Sequence, residues 1–225
     1  MDQHPHAKDA MSALPAAVIF DMDGLLFDSE ALYHDAIMAA ARELGHSFTT
    51  EDFLKLVGRP WLVNRAALQE HIGPKADVEV FRATWTRHYR GMRSLLALKA
   101  GVVELLDRLD ELGLLRAICT SSSREEVEHN LALHGLAHRF HAVIAAGDYA
   151  QGKPAPDPFL RAAEVLGVAP EDCLALEDSH NGVRSADAAG MRTIMVPDLL
   201  PATDEIRPFC HLVVADLHEV RGMFG

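Results

Sequence analysis

The run Val18-Ile19-Phe20-Asp21-Met22-Asp23-Gly24 decides how the rest of the chain is read. Apolar strand formers stop at two carboxylates two residues apart, and a glycine follows. A short apolar run bounded in this way reads as a strand buried on both faces. Carboxylates are almost never buried without a partner. Asp21 and Asp23 at a strand's carboxyl end therefore point to a metal site, or to paired nucleophile and acid roles. In open parallel α/β sheets that edge is where ligands gather. An acidic turn after a strand has the same spacing, so D-x-D alone does not separate the two readings.

Working outward, Asp28-Ser29 offers N-cap residues for an alanine-rich helix over about 29–44 that stops at Gly45. From there to about residue 95 only helical signals occur: Thr49-Thr50-Glu51-Asp52 starts one helix, Pro60 suits the first turn of another, and a longer one spans about 76–94. Val102, Leu105, Leu106, Leu109 and Leu112 then mark one face of an amphipathic helix ended by Gly113. Leu114 to Cys119 reads as a second strand, and Ser122 with Glu125 as a capping box for the helix after it. Further strands are expected at 142–146, 173–176, 193–196 and 211–215, separated by helices over 158–166 and 181–189. Strands alternating with helices imply a doubly wound parallel sheet, with a small all-helical insert after the first strand. The expected organisation is a disordered tail over 1–15, a core over 16–28 and 96–225, and the insert over 29–95.

Bulk properties narrow the function. The chain has 225 residues, 49% of them hydrophobic and 24% charged, ordinary for a globular protein. A formal net charge of −12 argues against non-specific binding to nucleic acid or anionic membranes. An anionic substrate would need a locally positive pocket. Charges break every apolar stretch before about 18 residues, so no transmembrane segment is expected. Residues 1–15 are polar and lack a signal peptide's apolar core, which suggests a loose tail and a cytoplasmic protein. Cys119, Cys173 and Cys210 show no C-x-x-C spacing and read as reduced thiols. A monomer is the default expectation.

A parallel sheet would bring four polar groups to one edge: Asp21/Asp23, Thr120/Ser121, Lys153, and Glu177/Asp178. Each has a bland reading as a helix cap, a turn or a solvated lysine, but four coincidences at one edge are much less expected. The set matches phosphoryl transfer. A carboxylate nucleophile can form an acyl phosphate. A second carboxylate can protonate the leaving oxygen and later activate water. Asp178 with Asp21 offers hard oxygen ligands suited to Mg²⁺. Thr120 and backbone N–H groups at a helix start can hold phosphate oxygens, and Lys153 can neutralise the shared charge.

These motifs resemble those of the haloacid dehalogenase superfamily over about residues 16–215. Asp21-Met22-Asp23-Gly24 looks like its first motif, Thr120 its second, Lys153 in Gly-Lys-Pro-Ala-Pro-Asp its third and Glu177-Asp178-Ser179 its fourth. The resemblance implies Asp21 as nucleophile and Asp23 as acid/base. Mg²⁺ would then be held by Asp21, the Asp23 carbonyl and Asp178, with Glu177 acting through water. Phosphate would be held by Asp21, Met22, Asp23, Gly24, Thr120, Ser121 and Lys153. A one-residue slip would exchange Thr120 for Ser121. The insert corresponds to the superfamily's C1 cap, where His34, Arg59 and Trp61 are substrate-side candidates.

Dehalogenating relatives lack the Asp23 equivalent, so its presence favours phosphate esters. Within the family, Asp-Gly-Leu-Leu-Phe-Asp-Ser-Glu and Lys-Pro-Ala-Pro-Asp-Pro-Phe look most like the β-phosphoglucomutase-like branch. Arg59-Pro60-Trp61 departs from the mutase pattern at the cap. The expectation is therefore a Mg²⁺-dependent phosphatase of a small phosphorylated metabolite, a sugar or polyol phosphate. A β-phosphoglucomutase-type mutase is one alternative, and a non-catalytic phosphate-binding or regulatory protein is the other.

Overall fold

The computed structural model describes residues 13–57 and 61–225. Most of the expected tail, residues 1–12, lies outside the described residues, as does Arg59. The chain divides into two compact units, residues 1–27 with 98–225 and residues 28–97.

The larger unit is built on β1 (Ala17–Phe20), β2 (Leu115–Cys119), β3 (Ala142–Ile144), β4 (Cys173–Glu177), β5 (Arg192–Met195) and β6 (Leu212–Val213). They form one sheet in the order β3-β2-β1-β4-β5-β6, every pairing parallel. All four residues of β1 are fully buried, as a central parallel strand covered on both faces requires. Its register pairs Phe20 with Ile118 of β2 and with Leu176 of β4. The strand order reverses beside β1, which makes its carboxyl end the topological switch point of the sheet.

Helices α5 (Val102–Glu111), α6 (Arg124–Leu133), α7 (Asp157–Leu166), α8 (His180–Ala188) and α9 (Leu217–Gly222) belong to the same unit. Helix α5 buries Val102, Leu105, Leu106 and Leu109, the face that leucine spacing marks. Phe159, Ala162 and Ala163 of α7 pack with Ile19, Ala117 and Ala175 of the sheet. Burial raises the Cys119 thiol to about 12 and the Cys173 thiol to about 11; all three cysteines are free.

Helices α1 (Ser29–Leu44), α2 (Thr50–Leu54), α3 (Trp61–Ile72) and α4 (Val78–Met92) make the smaller, all-helical unit. Asp28 occupies the N-cap position of α1, but its side chain makes no capping bond. Thr49 and Asp52 form a reciprocal capping box at α2. Ile37, Phe48, Phe53, Leu68 and Phe81 form the core of this unit. Tyr33 stacks on Tyr89 at 4.1 Å, and Trp85 donates to the Tyr33 carbonyl at 3.2 Å.

Among the described residues no helix is long and apolar enough to cross a membrane.

Candidate active site

Three adjacent strands, β2, β1 and β4, deliver the site. Asp21 follows β1, Thr120 follows β2, and Glu177 closes β4 with Asp178 next to it. Lys153 comes from the loop between β3 and α7, which Ser185 anchors by donating to the Ala155 carbonyl at 2.6 Å.

The Lys153 ammonium is the hub. It donates to Asp21 Oδ1 at 2.5 Å, to Glu177 Oε1 at 2.5 Å and to the Cys119 carbonyl at 2.9 Å. The two carboxylates it bridges are 132 and 24 residues away in sequence. Lys153 loses hydration on burial, but Asp21 and Glu177 more than compensate and hold it firmly charged. Burial has the opposite effect on Asp21. With the Glu177 and Asp23 charges beside it, burial pushes the Asp21 carboxyl from its ordinary 3.8 up to about 8, against the pull of Lys153.

Glu177 has no solvent exposure and is saturated with donors. Its Oε1 takes Lys153, and its Oε2 takes the Asp178 and Ser179 amides at 3.1 Å and the Ser179 hydroxyl at 3.0 Å. Gly182 makes room for this carboxylate: a Cβ there would sit 1.8 Å from Glu177 Oε1. Gly182 is a residue that sequence reasoning missed, because its meaning depends on where Glu177 points.

The hydroxyl run after β2 sorts itself by direction. Thr120 is buried, and its Oγ1 lies 3.4 Å from Asp23 Oδ2 while accepting the Ser122 amide at 3.0 Å. Ser122 Oγ donates to Asp23 Oδ2 at 2.7 Å. Ser121 is exposed, and the Tyr149 hydroxyl nearby donates to the Thr120 carbonyl at 3.2 Å. The expected Ser122–Glu125 capping box is therefore corrected by one residue. Ser123 caps α6 by accepting the Glu126 amide, because the Ser122 hydroxyl is turned to Asp23. Ser122 is a second missed site residue, hidden in a run of three serines.

Met22 is buried, and its carbonyl accepts the Leu26 and Phe27 amides. The Gly24 amide donates to the Phe27 carbonyl at 2.9 Å, so it closes this turn. Gly24 has φ +80°, and a Cβ on it would lie 2.5 Å from Asp178 Oδ2. Only glycine combines that backbone with the close approach of Asp178.

Carboxylate oxygens of Asp21, Glu177 and Asp178 lie within 4.8 Å of one another, a spacing that can surround one cation. The donor set is all oxygen, which suits Mg²⁺. Asp21 and Glu177 share the Lys153 ammonium, yet burial, with the Glu177 and Asp23 charges, still raises the Asp21 carboxyl. Since Glu177 is saturated by protein donors, Asp21 and Asp178 are the carboxylates suited to direct ligation. His180 follows them in sequence but bonds the Pro201 carbonyl at 2.9 Å.

The smaller unit holds its candidate residues by contacts of its own. His34 Nε2 pairs with Thr50 Oγ1 at 3.0 Å and its ring meets Phe53 edge-on. Trp61 carries the Arg82 guanidinium 4.1 Å above its ring.

A doubly wound parallel sheet with acids and a lysine at its switch point, and an all-helical insert after the first strand, defines a Rossmann-like α/β core. Residues 18–196 match the family model described as haloacid dehalogenase-like hydrolase, and the chain belongs to that family. Similar curated proteins include SUPPRESSOR OF QUENCHING 1 of Arabidopsis thaliana, 36% identical. That match covers 82% of this chain and only 18% of the plant protein. A phosphorylated carbohydrates phosphatase of Thermotoga maritima is 32% identical, with 79% of this chain and 83% of the relative covered. Among solved structures, a putative β-phosphoglucomutase from Thermotoga maritima superposes with TM-score 0.79 at 28% identity, covering 92% of this chain and 97% of that one. CbbY from Rhodobacter sphaeroides, in complex with phosphate, gives 0.78 at 25% identity, covering 92% and 96%.

Proposed function

We propose that the protein is a Mg²⁺-dependent phosphatase that hydrolyses a small phosphate monoester, a sugar or polyol phosphate, through an aspartyl phosphate on Asp21. The observation that carries this reading is the Lys153 ammonium shared by Asp21 and Glu177 at adjacent strand ends, with Asp23 hydrogen-bonded by Ser122. The phosphatase relative from Thermotoga maritima supports the reaction class.

In this mechanism an Asp21 carboxylate oxygen attacks phosphorus and the ester P–O bond breaks. Asp23 gives its proton to the departing alcohol oxygen. Water then attacks the acyl phosphate with Asp23 taking its proton, which releases inorganic phosphate and regenerates Asp21. Ser122 and Thr120 hold the Asp23 carboxyl for both transfers. Lys153 stays charged throughout and stabilises charge on Asp21 and on the transferring group. Asp21 and Asp178 would hold Mg²⁺, which supplies positive charge to the phosphoryl oxygens and keeps Asp21 ionised at neutral pH. The helical insert acts as the cap, with His34, Arg59 and Trp61 as its substrate-side candidates.

The test is phosphate release from a panel of sugar, polyol and nucleotide monophosphates, with Mg²⁺ and with excess chelator. Metal-dependent release that Asp21→Asn abolishes is the expected result; full release by Asp21→Asn would overturn the mechanism. The putative β-phosphoglucomutase neighbour favours a second reading. Isomerisation of β-glucose 1-phosphate without phosphate release would establish it.

A further inference from the structure

A second ion pair lies beside the acid cluster. Lys99 Nζ donates to Asp198 Oδ1 at 2.6 Å, joining residues 99 positions apart. The Asp198 side chain is 10% exposed, and its other oxygen, Oδ2, is closed to solvent with no hydrogen-bond partner among the described residues. That oxygen faces the α-carbon of Gly24. A Cβ at Gly24 would lie 3.1 Å from Asp198 Oδ2 and 2.5 Å from Asp178 Oδ2, so both oxygens converge on the point that glycine leaves open.

A buried carboxylate oxygen with no donor is costly, and such an atom in a folded protein calls for a water or an ion. Lys99 satisfies one side of Asp198 and leaves the other directed at the neighbourhood of Asp178. Mg²⁺ keeps several of its waters when one or two carboxylates bind it. Those waters are the donors best placed to meet an acceptor beyond the direct ligands.

We propose that Asp198 is a positioning residue whose Oδ2 accepts a hydrogen bond from a water on the divalent cation held by Asp21 and Asp178. This rests on the Mg²⁺ requirement in the proposed function and adds a residue of the β5–β6 connection to the cation's surroundings. Groups that orient a metal's ligands or waters from beyond the first contacts typically govern affinity by about 10–100-fold.

The experiment is calorimetric titration of chelator-stripped protein with Mg²⁺ alone, for the wild type, Asp198→Asn and Lys99→Met. Melting temperatures in chelator verify that the variants fold. Asp198→Asn is expected to weaken Mg²⁺ binding roughly tenfold or more. Lys99→Met breaks the same ion pair and leaves the Asp198 carboxylate, so its affinity should stay within about threefold of wild type. Equal weakening by both variants would mean that only the loop anchor matters, and would overturn the proposal. Unchanged binding by Asp198→Asn beside a wild type that binds would overturn this proposal alone. A wild type that takes up no Mg²⁺ would overturn the metal requirement and this proposal together.

Discussion

Replacing Asp21 by asparagine should stabilise the metal-free protein while destroying its activity. Without a cation, burial and the neighbouring acids push the Asp21 carboxyl up to about 8, so the folded chain carries it protonated at pH 7. The unfolded chain ionises it near its ordinary 3.8. Holding that proton at pH 7 costs about 4 kcal/mol, at about 1.36 kcal/mol per pH unit. Asparagine reproduces the neutral form and keeps an acceptor for Lys153. Its NH₂ group must also avoid the ammonium, which reduces the expected gain to about 1–3 kcal/mol. For a chain of this size that is a rise of about 2–10 °C in melting temperature.

The pH dependence carries the sign. A carboxyl raised in the folded state makes the fold take up a proton between about pH 4 and pH 8. Wild-type stability from this group therefore falls as pH rises through that window. The advantage of Asp21→Asn should be absent near pH 4, grow through neutrality and level off above about pH 8. Saturating Mg²⁺ should shrink or reverse it, since the cation stabilises the wild-type carboxylate. Denaturant unfolding in chelator at several pH values measures this directly. An asparagine variant less stable than wild type at pH 8, or a gain independent of pH, would refute the electrostatic argument.

Three further outcomes follow from the same contacts. Lys153→Met leaves the fully buried Glu177 carboxylate without its cation, so it should cost about 3–5 kcal/mol in chelator and abolish phosphate release; a stable, active variant would contradict the hub role. Gly182→Ala puts a methyl within 1.8 Å of Glu177 Oε1, so the carboxylate must move. A loss of about 2 kcal/mol or more, with impaired turnover, is expected in denaturation and kinetic assays. Ser122→Ala removes the 2.7 Å bond to Asp23. It should lower kcat by about tenfold, consistent with the loss of a roughly 1.5 kcal/mol charge-assisted bond, and leave the melting temperature nearly unchanged.

The sheet was legible because its central strands are short apolar runs that end in polar residues, a pattern that burial on both faces imposes. The motif positions were legible for the same reason: Asp21, Thr120 and Glu177 sit where apolar character stops. What sequence left ambiguous was direction. Three consecutive serines are chemically equivalent until the strand end fixes which hydroxyl turns to Asp23, and this is why the cap of α6 moved from Ser122 to Ser123. Gly182 reads as an ordinary helix residue until the Glu177 carboxylate is seen to occupy the volume of its missing side chain. Lys99 and Asp198 show no pattern in sequence, because only the fold brings them together. His34 and Trp61 lie on helices where a surface contact and a substrate contact look alike.

Charge explains why the site is built on so many acids when its substrate is an anion. The clustered carboxylates would repel a phosphate dianion, and burial with the Glu177 and Asp23 charges raises the Asp21 carboxyl, which would make it a poor nucleophile. A divalent cation held by Asp21 and Asp178 would change both conditions at once: it would lower the Asp21 value and turn the local potential positive. Glu177 contributes differently. Its donors are all internal, so it fixes the Lys153 ammonium against Asp21 whether or not a cation is bound. A permanent positive charge on one side of the nucleophile and an exchangeable one on the other would make activity strictly metal-dependent while the geometry of the site persists in the metal-free protein.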